Sequence, residues 1–249
     1  MPPVTGLPAP LGANGPLLRI AELTAGYRGK TVIENLDLVL DQEDMVALIG
    51  PNGCGKSTLL RAVTGVIPKA SGEVKLRGRP LQHLPTHEVI RSGVGYLKQT
   101  RNIFPGLTVE QNLLLAHPDG RASSASRLRR LLSLFPLLAD LQLKRAGLLS
   151  GGERQALALA MVLMRKAEVL LLDEPVSGLS PDNAEALLSG LDQLRREDGF
   201  SFLLVEHRLR VVAPWVNRIL IMVRGRIVED TRDVSILTDR QRLERHYQL

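Results

Sequence analysis

The run Gly50-Pro51-Asn52-Gly53-Cys54-Gly55-Lys56-Ser57 constrains this chain more than any other feature. It matches G-x-x-x-x-G-K-[ST] in full and follows the apolar run Val46-Ala47-Leu48-Ile49. Such a run suits a strand buried on both faces. Glycines let the backbone bend around phosphates where a Cβ would intrude. A helical pattern from Lys56 to Val63 follows, so successive N–H groups and the positive helix end form an anion nest. Gly50, Pro51, Asn52, Gly53, Cys54 and Gly55 then cradle a polyphosphate, with Thr58 next to them. Lys56 contacts the β- and γ-phosphates, and Ser57 ligates Mg²⁺. Cys54 is a small filler within the loop.

Composition narrows the partners. The formal net charge is +6, but the basic residues are scattered, with modest clusters at Arg127, Arg129 and Arg130 and at Arg240, Arg242 and Arg245. Aromatic residues make up only 3% of the chain, too few for a base-stacking platform, so no nucleic-acid partner is expected. Cys54 is the one cysteine, which rules out an intrachain disulfide and fits a reducing compartment. The N-terminus lacks the basic and apolar regions of a secretion signal. No apolar run reaches the ~18 residues of a membrane span. A role at a membrane therefore needs other chains to cross it.

Residues 1–16, rich in proline and glycine, read as a disordered leader. Leu18, Ile20, Val32 and Ile33 fit short antiparallel strands joined at Tyr27-Arg28-Gly29-Lys30. Val169-Leu170-Leu171-Leu172 and Phe202-Leu203-Leu204-Val205 are two more buried strands. Ile219 to Val223 and Arg226 to Val228 form a hairpin across Gly225. The Leu- and Arg-rich stretch from Thr108 to Leu143 has helical spacing at Leu128, Leu131, Leu132 and Phe135, so a mainly helical subdomain is expected at about 100–158. It interrupts an α/β core. The segment 232–249 suits either a docked helix or a frayed end.

Chemistry gathers at the strand ends. Asp173-Glu174 closes an apolar strand beside the phosphate loop. Asp173 suits a Mg²⁺ shell, and Glu174 is placed to orient and deprotonate an attacking water. His207 ends the next strand, in reach of a γ-phosphate and the same water. His83, His87, His117 and His246 have a structural reading. Gln99 follows the strand-like run Val94-Gly95-Tyr96-Leu97-Lys98 and stands where the helical insertion begins. From there it can reach the metal or the water. Taken alone, a carboxylate pair is a polar strand end and Gln99 an ordinary surface residue; the upstream phosphate loop gives them a common target.

Leu149-Ser150-Gly151-Gly152-Glu153 lies shortly before Asp173. Ser150 followed by Glu153 is a capping box that opens a helix, and a helix start with two glycines is also a good anion site. With the phosphate loop, Gln99, Asp173-Glu174 and His207, this run resembles the ABC transporter ATPases over about residues 17–235, leaving 236–249 as a tail. The family usually has Gln where this chain has Glu153. The resemblance implies a P-loop NTPase core, α/β in class, with an antiparallel β subdomain and an inserted α-helical subdomain. It implies ATP as substrate with Mg²⁺, and Tyr27 stacked on adenine. It also implies that Ser150, Gly151, Gly152 and Glu153 face the γ-phosphate bound by a second ATPase subunit, identical or paralogous, with transmembrane permease subunits as further partners. Such a subunit sits on the cytoplasmic face of the cell membrane.

Ser177-Gly178-Leu179-Ser180-Pro181, where many members read S-A-L-D, resembles the branched-chain amino acid importers and their urea and amide relatives. The runs Phe104 to Leu113, Leu134-Phe135-Pro136 and Lys144-Arg145-Ala146-Gly147 are similar to the same group. His207, where one of its two ATPase subunits often has Gln, and Met161, where many have Arg, depart from it. A soluble ATP-gated clamp or assembly scaffold of the same superfamily is the rival expectation. A kinase use of the loop is disfavoured, because a kinase needs no second γ-phosphate site.

Overall fold

A computed structural model of the protein describes residues 15–99, 102–117, 125–165 and 167–247. Most of the expected leader over 1–16 lies outside them. Strands β1 (Leu18–Tyr27) and β2 (Lys30–Leu40) form a hairpin. Arg28 and Gly29 both take positive φ at its tip, as a two-residue turn between right-twisted strands requires. The chain continues through β3 (Met45–Ile49), α1 (Lys56–Val63), β4 (Lys69–Leu76), β5 (Arg79–Pro80), α2 (Thr86–Arg91) and β6 (Val94–Leu97). Four helices follow: α3 (Val109–Ala116), α4 (Ala125–Leu134), α5 (Pro136–Ala139) and α6 (Gly151–Leu163). Then come β7 (Val169–Asp173), α7 (Pro181–Asp198), β8 (Ser201–Val205), α8 (Leu209–Val212), β9 (Arg218–Val223), β10 (Arg226–Thr231) and α9 (Arg240–Tyr247).

The main sheet runs β10-β9-β3-β8-β7-β6, parallel throughout except for the β9-β10 hairpin. A second, antiparallel sheet runs β2-β1-β4-β5. The fold is thus α/β with an antiparallel sheet and a helical insertion. Strand alternation divides the interior in two. Val46, Leu48, Leu171, Leu203 and Met222 face α1 and the antiparallel sheet. Ala47, Ile49, Leu172, Leu204 and Ile221 face α6, α7 and the other inserted helices. Successive side chains of a strand point to opposite faces, so covering both faces makes each central strand a continuous apolar run.

Two sequence expectations change in detail. The helical stripe through Leu128 and Leu131 ends at Leu134. Pro136 opens α5, and the residue before a proline is pushed out of the α region, so Phe135 separates the two helices. The open question at 232–249 resolves, over its described residues, in favour of docking. A 3-10 turn at Val234–Leu237 and α9 bury Ile236, Leu237 and Leu243 in the main core.

The carboxyl ends of β3, β7 and β8 lie side by side and deliver the phosphate loop, Asp173-Glu174 and Glu206-His207 to one edge. Open α/β sheets bind ligands at that edge. The opposite edge is pinned by Arg218, which grips Asp230 through two hydrogen bonds of 2.7 and 2.6 Å and Asp44 at 3.1 Å.

Candidate active site

The loop between β3 and α1 can be built only with glycine at its bend. Gly50 has φ +152°, and a Cβ there would lie 2.0 Å from the Met222 carbonyl oxygen. Gly55, at the start of α1, takes φ +116°. The turn after β9 supports the loop from behind, with the Gly225 N–H donating to the Cys54 carbonyl at 2.8 Å. Lys56 is buried inside the loop. Its Nζ donates to the Gly50 and Pro51 carbonyls at 2.7 and 2.9 Å, and Cys54 Sγ lies 3.8 Å away. Those partners are neutral, so none of them forms an ion pair that would compete with an anion for Lys56. Asn52 and Gly53 are exposed at the rim, while Thr58 is buried in the first turn of α1.

Ser57 donates from Oγ to Asp173 Oδ1 at 3.0 Å, which ties α1 to the end of β7. Asp173 is 1% exposed, and its Oδ2 is buried with no hydrogen-bond partner. Burial pushes this carboxyl above the usual Asp range, opposed by the Ser57 bond and reinforced by the charge of Glu174. An orphan carboxylate oxygen beside a hydroxyl is a donor set that fits a hard divalent cation, with phosphate oxygens and waters completing the shell.

Glu174 sits at φ +54°, an uncommon conformation for a side chain of its kind. Neighbours hold it there. Its N–H donates to the Val205 carbonyl at 2.9 Å, and its carbonyl accepts from Gln155 Nε2 at 3.2 Å. Backbone strain of this sort survives where the surroundings over-determine it, often at a functional residue. His207 Nε2 lies 3.5 Å from Glu174 Oε1. Lys56, Ser57, Asp173, Glu174 and His207 therefore form one cluster at the strand ends. A charged donor, a metal-type oxygen pair and a carboxylate–imidazole pair can hold a polyphosphate and activate a water.

The remaining expected residues make no direct contact with that cluster among the described hydrogen bonds and ion pairs. Tyr27 ends β1 and is 39% exposed, its hydroxyl accepting from Arg61 Nη1 at 3.1 Å. Gln99 is exposed, just past β6. Ser150 caps α6: its hydroxyl accepts from the Glu153 N–H at 3.2 Å, and Glu153 Oε2 accepts from the Ser150 N–H at 2.7 Å. That backbone bond holds Glu153 below the usual carboxylate range against the small cost of desolvation, with Lys144 helping. Gly151 faces open space, and Gly152 packs on Leu179.

Sequence reasoning missed Arg61, Gln155, Glu206 and Arg208. Arg61 lies one helical turn after Ser57, which was the available signal for a second residue facing the nucleotide side. Glu206 and Arg208 flank His207, but a strand end gives no hint of which residues turn back into the protein.

Comparison with known proteins agrees with the geometry. Residues 33–177 match the family model described as ABC transporter. The chain is 39% identical to the probable branched-chain amino acid transport ATP-binding protein LivF of Archaeoglobus fulgidus, covering 85% of this chain and 90% of that protein. It is 35% identical to the high-affinity branched-chain amino acid transport ATP-binding protein BraG of Pseudomonas aeruginosa, covering 86% and 92%. Among solved structures, a nucleotide-free ATP-binding cassette from an ABC transporter superposes with a TM-score of 0.80 at 24% identity, over 93% of this chain and 98% of that one. The chain belongs to the ABC transporter family and is an ATP-binding subunit that hydrolyses ATP.

Proposed function

We propose that this ATPase powers an importer of amino acids or a related small polar solute, and that it works as one half of an ATP-sandwiching pair. One observation carries the pairing. The chain builds two helix starts suited to anions, at Lys56 and at Gly151, and only the first converges on Asp173, Glu174 and His207. The second opens outward at Gly151 and is available to a γ-phosphate held by another subunit. The solute class rests on the similarity to the branched-chain amino acid transport proteins LivF and BraG and on the Ser177-Gly178-Leu179-Ser180-Pro181 turn.

In this reading Tyr27 stacks on adenine, and the loop from Gly50 to Ser57 wraps the phosphates. Mg²⁺ held by Ser57 and Asp173, with Gln99 at its edge, would neutralise charge on the β- and γ-phosphates. Glu174 takes the proton of the attacking water, and His207 holds that water and the γ-phosphate. Ser150, Gly151 and Gly152, backed by the Glu153 cap, close over the partner's nucleotide. Closure favours one state of the pair, and hydrolysis returns it to the other.

Membrane partners need a docking place. Among the described residues no helix is long and apolar enough to cross a membrane. A groove of about 450 Å³ lies between the core and the inserted helices, lined by Val66, Tyr96, Phe104, Leu115, Met161 and others. Val66, Phe104 and Leu115 are 45%, 51% and 58% exposed. An apolar groove with three exposed hydrophobic residues suits a partner's amphipathic helix. The permease subunits would dock there and hold the ATPase peripherally on the cytoplasmic face.

Phe104→Glu tests this placement. In cells expressing the whole transporter, wild type should sediment with membranes and the variant should move to the supernatant, with basal ATPase activity kept. Wild type recovered in a soluble complex, with no membrane-bound fraction, would favour the clamp reading instead.

A further inference from the structure

The end of β8 carries Glu206, His207 and Arg208 in succession, and the structure gives them different targets. His207 faces Glu174. Its two neighbours face the turn that follows Glu174. Glu206 is 2% exposed, and its Oε1 accepts from the Val176 N–H at 2.9 Å. Its Oε2 accepts from the His207 N–H at 3.2 Å. Arg208 Nη1 donates to the carbonyls of Val176 and Leu179 at 3.0 and 2.9 Å. Both backbone polar groups of Val176 are thus held by residues flanking the histidine.

The clamped turn touches the chain's other anion-type feature. A Cβ on Gly152 would lie 2.9 Å from Leu179 Cδ2, so α6 packs closely on the turn. One helical turn further along α6, Gln155 binds the Glu174 carbonyl. The contacts close into a ring: His207, Glu206 and Arg208, Val176 and Leu179, Gly152, Gln155, and back to Glu174. A buried carboxylate and a guanidinium spent on backbone groups are costly unless they fix something. The segment they fix starts at the strained Glu174.

We propose that Arg208, with Glu206, is a positioning residue that locks the turn 174–179, setting Glu174 for hydrolysis and joining it rigidly to the Ser150-Gly152 helix start. The second half rests on the sandwich reading. If that helix start serves the partner's ATP, the ring makes the base of one site and the phosphate-facing edge of the other move as one body. Neither Arg208 nor Glu206 touches nucleotide in this account, so losing them leaves binding intact.

The test uses the purified full chain. Arg208→Met keeps the aliphatic stem and removes the donors, Arg208→Lys keeps one charged donor, and Glu206→Gln perturbs the other half of the clamp if Arg208→Met does not fold. ATP affinity should stay within about twofold of wild type, while kcat falls roughly tenfold to hundredfold, the scale of a misplaced reacting group. Arg208→Lys should recover part of that loss. The ATP dependence of hydrolysis should lose positive cooperativity in Arg208→Met. A purely structural role would lower the melting temperature without separating kcat from affinity. Unchanged kcat in folded Arg208→Met and Glu206→Gln overturns the proposal, and a lowered kcat with intact cooperativity overturns its coupling half. Lack of ATP-driven pairing in the Glu174→Gln variant with Arg208 intact would instead remove the sandwich reading, leaving the kcat result to judge the positioning role.

Discussion

Glu174→Gln will bind ATP as wild type does and hydrolyse it about 10²–10⁴-fold more slowly, the usual worth of a positioned general base. The substitution is nearly isosteric. It leaves the Val205 and Gln155 bonds to the Glu174 backbone in place, because both use main-chain atoms. It also leaves the positive φ as strained as before, so relief of strain does not confuse the result. Lys56, the loop and the Ser57–Asp173 contact lie outside the change. What is lost is a basic oxygen 3.5 Å from His207 Nε2. An amide cannot accept the proton of a water, so chemistry fails while binding persists. Steady-state phosphate release and equilibrium nucleotide binding, measured side by side, give both numbers. Turnover close to wild type would move the base to another residue.

Arg218→Ala will destabilise the protein by about 3–5 kcal/mol, the cost of breaking a buried ion pair. Arg218 is 4% exposed and Asp44 2%. Besides Asp44 and Asp230, the guanidinium donates to the Val39 carbonyl at 2.9 Å, which links β2 to the main sheet. Removing it strands Asp44 in the interior with only Arg232, at 3.2 Å, and the Asp41 N–H to compensate. At this chain length the melting temperature should fall by roughly 6–20 °C. Arg226→Ala provides the contrast: Arg226 pairs with Glu34 at 2.8 Å, but both side chains are 63% exposed. Exposed pairs contribute about 0–1 kcal/mol, so that variant should melt within a few degrees of wild type. Because Arg218 lies at the sheet edge opposite the phosphate loop, kcat of Arg218→Ala below its melting range should be unaffected. Equal melting temperatures for the two variants would show the network to be energetically idle.

Much of the fold was legible because its signals are local. An uninterrupted apolar run marks a strand covered on both faces, and Val46–Ile49, Val169–Leu172 and Phe202–Val205 all lie in buried strands of the main sheet. The Ser150 and Glu153 spacing states its own hydrogen bonds, and both form. The phosphate loop likewise announces its strand, bend and helix. What stayed hidden depends on distant partners. Arg218 looked like one more scattered basic residue until the sheet brought Asp44 and Asp230 to it. Nothing local to Arg208 names Val176 or Leu179, far back in the chain. The docked tail was undecidable for the same reason, since α9 is strongly polar and its hold on the core, through Leu243 and Tyr247, depends on distant partners.

If two copies of this nucleotide-binding fold close on ATP, sedimentation of Glu174→Gln beside Glu174→Gln/Gly151→Asp will separate paired from unpaired chains. Nothing lies within 4 Å of a Cβ at Gly151, and an acidic residue in the first turn of a helix is favourable, so the added carboxylate should not disturb the fold. It would, however, face the partner's γ-phosphate and repel it. Glu174→Gln with MgATP should sediment as a dimer holding one ATP per chain, and the double variant should bind the same ATP but stay monomeric. A monomeric, ATP-saturated Glu174→Gln, or a dimer indifferent to the Gly151 carboxylate, would contradict that pairing.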